Sequence, residues 1–125
     1  MEDITKIHPG DQITALGITV TVWRILYQDH CLDSYDVEFI DDQGHYRHWK
    51  ECYDGGTITR SGRPGIYYID MYNPHRIGAI LPARQPGTFS VRMIDRAGNE
   101  SYLGRCSSIS AAEEKLNTYG TWKEM

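Results

Sequence analysis

The sequence predicts an α+β protein: a curled antiparallel sheet or SH3-like partial barrel, a second β-hairpin and one C-terminal helix. Three observations carry that prediction. Short stretches of alternating apolar and polar residues recur between breaks rich in Gly, Asp, Asn and Pro, the spacing of a meander. Residues 35–52 and 89–106 share one frame, with Val37 matching Val91, Ile40 Ile94, Asp41 Asp95, Gly44 Gly98 and Cys52 Cys106, always 54 positions apart. They form either a degenerate internal repeat or two hairpins with the same turn chemistry. Near the C-terminus, Ser110 and Glu113 make a capping box ahead of Ala111 and Ala112, the signature of a helix start.

In chain order, residues 1–10 form a lead-in that ends at Pro9-Gly10, and residues 12–16 a short strand before a turn or bulge at Gly17. Residues 18–28 give the strongest β signal. They are apolar on both faces, so that strand is either covered twice or bends and changes sides. Arg24, embedded among those residues, needs a partner. Val37 and Phe39 alternate with Asp36 and Glu38 as a half-buried strand does. Gly44 supplies the positive φ of the turn, and residues 45–49 form the return strand. Short strands at 57–60 and 66–70 complete a β-meander over residues 11–70. Residues 71–87, interrupted by Pro74, Pro82 and Pro86, read as a long loop. The second hairpin spans 88–106. A helix over 110–119 puts Ile109, Ala112, Leu116 and Tyr119 on one stripe against that hairpin, with Gly120 as its C′ residue. Trp122 either tucks into the core or stands out as an aromatic anchor.

A chain of 125 residues is long enough to bury a core without disulfides, and the whole of 1–125 is read as a single domain. Cys31, Cys52 and Cys106 are odd in number and widely spaced, as buried free thiols are. No apolar run is long enough to cross a bilayer, and the first ten residues lack a signal-peptide layout. A cytoplasmic protein without membrane contacts is expected.

Charge is uneven. Residues 1–62 hold 5 Lys/Arg against 11 Asp/Glu, a balance of −6, and residues 63–125 hold 8 against 6, a balance of +2. From Arg60 to Arg105 every basic residue is Arg, which suits planar recognition of carboxylates or phosphates. Tyr67, Tyr68, Tyr72 and Tyr102 share that segment, and Tyr with Arg is the composition of interface hot spots.

Catalytic signatures are missing: there is no Gly-rich phosphate loop, no GxSxG and no HExxH. Asp41 and Asp42 are ordinary turn residues rather than an acid/base pair. His30, Cys31, His45, His48 and Cys52 lack zinc spacing, because His45 and His48 fall on opposite faces of a strand. No enzyme, metal site or cofactor is expected. The candidate surface is therefore a binding one. In the second hairpin it comprises Arg92, Arg96, Asn99, Tyr102 and Arg105. In the first it comprises the acidic Asp36, Glu38, Asp41 and Asp42 with Arg47 and Trp49.

The stretch "VRMIDRAGN" followed by Ser110-x-x-Glu113 and a helix resembles the small sheet-plus-helix DNA-binding domains of phage integrases (the arm-type unit) and of the AP2 type. The resemblance covers about a quarter of the chain. It implies that Arg92, Arg96, Asn99 and Arg105 face phosphate or bases, although duplex binders usually carry a basic surplus that this chain lacks. "DRAGNES" also looks like a hairpin turn of bacterial fibronectin-like domains, where the helix does not belong. "EFIDDQGHYRHWK" resembles in texture the small accessory proteins of bacterial mobile elements. That resemblance implies a non-catalytic protein that docks on a protein or protein–nucleic-acid complex, such as an anti-CRISPR-like inhibitor of a host-defence nuclease whose acidic face covers a basic channel. The alternatives are a sheet-based DNA/RNA-binding module and a small-nucleotide-binding protein.

Overall fold

The computed structural model describes residues 7–15, 17–29, 34–41, 43–50 and 57–125. They form β1 (Gln12–Ala15), β2 (Ile18–Asp29), β3 (Ser34–Ile40), β4 (Tyr46–Lys50), β5 (Thr57–Thr59), β6 (Ile66–Asp70), β7 (Arg76–Pro82), β8 (Phe89–Asp95), β9 (Glu100–Cys106), α1 (Ile109–Asn117) and β10 (Trp122–Glu124). The chain divides into two compact units, residues 1–63 and 64–125. As the residue pattern predicts, the class is α+β, with two antiparallel sheets and one helix near the C-terminus; neither sheet closes into a barrel.

The first unit holds a sheet in the order β4-β3-β2-β1-β5. β2 is apolar on both faces because it is bulged twice, once between Val22 and Arg24 and again between Ile25 and Tyr27. A bulge inserts an unpaired residue and turns the strand. Val22, Trp23 and Ile25 are consequently all buried, while Arg24 pairs in register with Glu38. Ile13, Val20, Val37 and Phe39 complete the buried set of this sheet, and the Phe39 and Trp49 rings meet at 5.2 Å. Buried Asp11 fastens the start of β1: its carboxylate accepts from the His8 and Gly62 backbone N–H groups, and Arg60 lies 3.5 Å from it.

The second unit holds a sheet in the order β10-β6-β7-β8-β9. The strand at 66–70, read as the end of the meander, opens this sheet instead. Residues 71–87, read as one long loop, contain β7 between two tight turns. Gly78 and Pro82 disguise this strand, since neither residue suits a strand interior. Both have a local reason. A Cβ on Gly78 would lie 2.9 Å from Leu116 and 3.2 Å from Trp122, so the glycine marks where the helix approaches the strand. Pro82 ends the strand opposite Phe89. The following turn places Pro86-Gly87 between Gln85 and Thr88, with Gly87 at φ 80° and the Thr88 N–H donating to the Gln85 carbonyl, the sequence a type II turn requires.

Helix α1 starts two residues earlier than the capping box suggests. Ser108, not Ser110, is the N-cap, and its hydroxyl accepts from the Ala111 N–H. This start directs Ala112 and Leu116 into a core with Tyr68, Ile80 and Val91, four residues apart as one helix face demands. Ile109 and Tyr119, expected on the same stripe, are exposed. The helix ends on Thr118 in right-handed geometry, so Gly120 does not serve as a left-handed cap. Trp122 joins β10, packs against the α1 core and donates from Nε1 to the Leu116 carbonyl; of its two expected positions it takes the core.

An ion pair between buried Asp70 and part-buried Arg76 fixes this end of the unit. Asp70 accepts from the Tyr72 and Asn73 N–H groups through one oxygen and from Arg76 Nε through the other. Arg76 also donates to the Tyr119 carbonyl and lies over the Trp122 ring. One guanidinium thus joins the β6–β7 turn, the end of α1 and β10.

Candidate binding surface

Each hairpin turn is built by one aspartate. In the first, the Asp41 N–H donates to the His45 carbonyl and the Gly44 N–H to the Asp41 carbonyl; in the second, Asp95 exchanges the same bonds with Asn99 and Gly98. Gly44 and Gly98 have φ of 80° and 87°, the left-handed residue that closes a three-residue hairpin loop. The Arg47 side-chain hydrogen bond, followed by the His45 backbone N–H, holds the Asp41 carboxyl below its ordinary range. The Asn99 backbone N–H, followed by its side-chain amide, does the same for Asp95.

Two ladders follow from these turns. On β8, Phe89, Val91 and Met93 pack on the α1 core, so the alternating Ser90 and Arg92 lie on the sheet face turned away from the helix. Tyr102 stands opposite Arg92, and Arg105 opposite Ser90. The Arg92 guanidinium lies 5.4 Å over the exposed Tyr102 ring and 3.6 Å from Glu100, with Nε 3.5 Å from the buried Ser90 hydroxyl. Arg105 is exposed and makes no ion pair among the described residues. The same is true of Arg84, in the turn that joins β7 to β8 at the Arg105 end of the ladder.

The corresponding ladder of the first unit runs Arg24, Glu38, His48 across β2, β3 and β4. Here Glu38 and Asp41 are paired with arginines within the unit. Arg24 and Glu38 form a half-buried ion pair, Asp36 lies 3.9 Å from His48, and Asp41 is bound by Arg47.

The structure thus groups Arg92, Tyr102 and Arg105 on one surface. Arg96 and Asn99 sit in the turn and help to hold it: the Arg96 N–H donates to the His75 carbonyl, its guanidinium lies 3.3 Å from His75 Nδ1, and Asn99 serves Asp95. Trp49 faces Phe39 and the buried side. Asp42 lies outside the described residues, as do His30, Cys31 and Cys52 of the histidine–cysteine set. Among the described residues no group of three or more His, Cys, Asp or Glu side chains converges, and no helix is long and apolar enough to cross a membrane.

Of the four tyrosines in the Arg-rich segment, Tyr67 and Tyr68 are buried and Tyr72 and Tyr102 exposed. Burial, with Glu113 and Glu124 nearby, pushes the Tyr68 hydroxyl well above its ordinary pKa. Sequence reasoning missed Ser90 and took Arg84 only as one of the Arg-only set between Arg60 and Arg105. The repeat offset held a signal for Ser90, since it aligns Asp36 with Ser90 and Glu38 with Arg92. No known protein family, curated protein or solved structure matches the chain.

Proposed function

We propose that the chain is a non-catalytic binding protein that docks on a protein or protein–nucleic-acid complex through the outward ladder of β8 and β9. One observation carries this reading. Arg92 is held against an exposed tyrosine while the neighbouring Arg105 faces a serine instead of a carboxylate. A cation and an aromatic ring held on a rigid sheet lose little freedom on binding.

The narrower reading, an accessory protein of a mobile element that blocks a host-defence nuclease, draws on the acidic face of the first unit. Glu38 and Asp41 are engaged there in ion pairs, which leaves less free charge for a basic channel. A sheet-based DNA/RNA-binding module draws on the same guanidinium groups as the leading reading, and the net charge of −4 opposes extended contact with a duplex.

The test is a tagged pull-down with and without nuclease, comparing the native chain with Arg92→Ala/Arg105→Glu. A partner recovered by the native chain and lost by the variant supports the ladder as the contact surface. Equal recovery by both proteins rules it out.

A further inference from the structure

The surface chemistry of the ladder is specific enough to name what it meets. Resting on the docking reading above, we infer that the β8–β9 ladder binds a short single-stranded segment of nucleic acid. A base would stack at Tyr102, and the adjoining phosphates would be taken by Arg105, Arg92 and Arg84.

Four features of the second unit lead there. Tyr102 is 59% exposed on the edge strand β9, beside a bulge in the β8–β9 ladder, where it offers a ring to a planar group. Stacking of bases on sheet-borne aromatics is a common mode of single-strand recognition and tolerates any base. Arg92 lies over the same ring at 5.4 Å, tethered by Glu100 at 3.6 Å, so the aromatic and the cation come as one assembled element. Arg105 stands opposite Ser90, the next position of β8 on the Arg92 face, with the bulge of β9 between it and Tyr102; it offers a guanidinium to the phosphate beside a stacked base. Arg84 is exposed in the β7–β8 turn next to that end of the ladder and, like Arg105, makes no ion pair among the described residues.

The first unit shows what a ladder without such a ligand looks like. At the same offset, Glu38 occupies the Arg92 position and is closed by Arg24, and Asp36 occupies the Ser90 position in register with Lys50. In the second unit Arg92 shares Glu100, and Arg105 faces a serine in place of a carboxylate. The ligand is short because the cations end after three residues. An acidic peptide would satisfy the guanidinium groups but leave Tyr102 without a planar partner.

The experiment is fluorescence anisotropy on the full chain at low salt with three probes: a labelled oligothymidylate of about ten nucleotides, the same length as duplex, and labelled polyglutamate. Binding of the single strand in preference to both others is expected. Its log–log salt slope should be near −2, from about 0.7 per phosphate engaged. Tyr102→Ala should weaken binding by roughly 5- to 100-fold and Tyr102→Phe should retain it; Arg105→Glu should abolish it. Because both positions are exposed, unchanged circular dichroism and thermal midpoints would confirm that the variants fold. Equal or tighter polyglutamate binding, no dependence on Tyr102, or no oligonucleotide binding would each overturn the inference. If the pull-down partner is still lost with Arg105→Glu while oligonucleotide fails to bind, docking stands and only the nucleic-acid assignment falls.

Discussion

The two units use the same strand plan and handle charge in opposite ways. In each, four consecutive strands pair in order and a fifth returns to the outer edge of the first, β5 beside β1 and β10 beside β6. The 54-residue offset seen in the hairpins extends beyond them: Gln12–Ala15 falls on Ile66–Asp70, and the span of β2 covers β7. On β3 the alternate positions are Asp36 and Glu38, while on β8 they are buried Ser90 and part-buried Arg92. What differs is that the second ladder leaves Arg105 without an ion pair among the described residues. The second unit also inserts α1 between the fourth and fifth strands of the plan and builds its core on it.

The largest expected effect lies in how each unit anchors its turns. Asp11 and Asp70 are both buried, and both accept two backbone N–H groups. Asp70 adds a close pair with Arg76, whereas Asp11 has only a distant Arg60 at 3.5 Å. Asp70→Ala leaves two amides unsatisfied and a part-buried guanidinium without its carboxylate, and should lower stability by about 3–4 kcal/mol. Asp11→Ala leaves two amides unsatisfied and should cost about 2–3 kcal/mol. Urea unfolding measures both. Equal losses would mean that Arg76 adds nothing to the capping role.

The equivalent ladder positions provide the next contrast. Glu38→Ala strips the partner from Arg24, whose Nε is already buried without a hydrogen bond, and should destabilise the protein by about 2–3 kcal/mol. Arg92→Ala removes a partly exposed contact with Tyr102 and Glu100 and should cost about 1 kcal/mol or less while weakening partner binding. If both variants prove equally destabilising, Arg92 is a structural residue and the proposed surface loses its centre.

Much of this was legible in the residues. The alternation at 37–39 and 89–93, the turn glycines and the apolar faces of the long strand each follow from local rules, and the structure contains the elements they imply. β7 was not legible, because Gly78 answers to Leu116 and Trp122 from distant parts of the chain, and local propensity cannot register a contact of that kind. The helix start was misread for a similar reason: Ser108 and Ser110 are both competent caps, and only the tertiary demand on Ala112 and Leu116 chooses between them. In the candidate site, the residue types were readable but their pairing was not. Glu38 and Arg92 look equally free in sequence, and only the bulge in β2 brings Arg24 opposite Glu38.

The turn glycines should respond alike in the two units. Gly44 and Gly98 have nearly the same positive φ, and a Cβ at either would meet nothing within 4 Å. Replacement by Ala therefore carries backbone strain alone, about 1–2 kcal/mol in each case. A difference of more than about 0.5 kcal/mol between the two unfolding free energies would show that the hairpins are not energetically equivalent.

The smallest effect separates the two turn aspartates. Both carboxyls titrate below the ordinary value of 3.8, so each contributes stability that is complete above that pH and is lost as pH falls through the lower folded value. Urea midpoints should therefore decline as pH falls below about 4, with a shallower decline in Asp41→Asn or Asp95→Asn. The causes differ, however. Asp41 is held chiefly by the Arg47 side chain, an exposed charge pair that salt screens. Asp95 is held chiefly by the Asn99 backbone N–H, a neutral donor fixed by the turn. Adding about 0.5 M NaCl should then shrink the Asp41 contribution and leave that of Asp95 nearly unchanged. Equal salt sensitivity would mean that Arg47 acts on Asp41 only as a hydrogen-bond donor, and that the two turns are the same device despite the arginine.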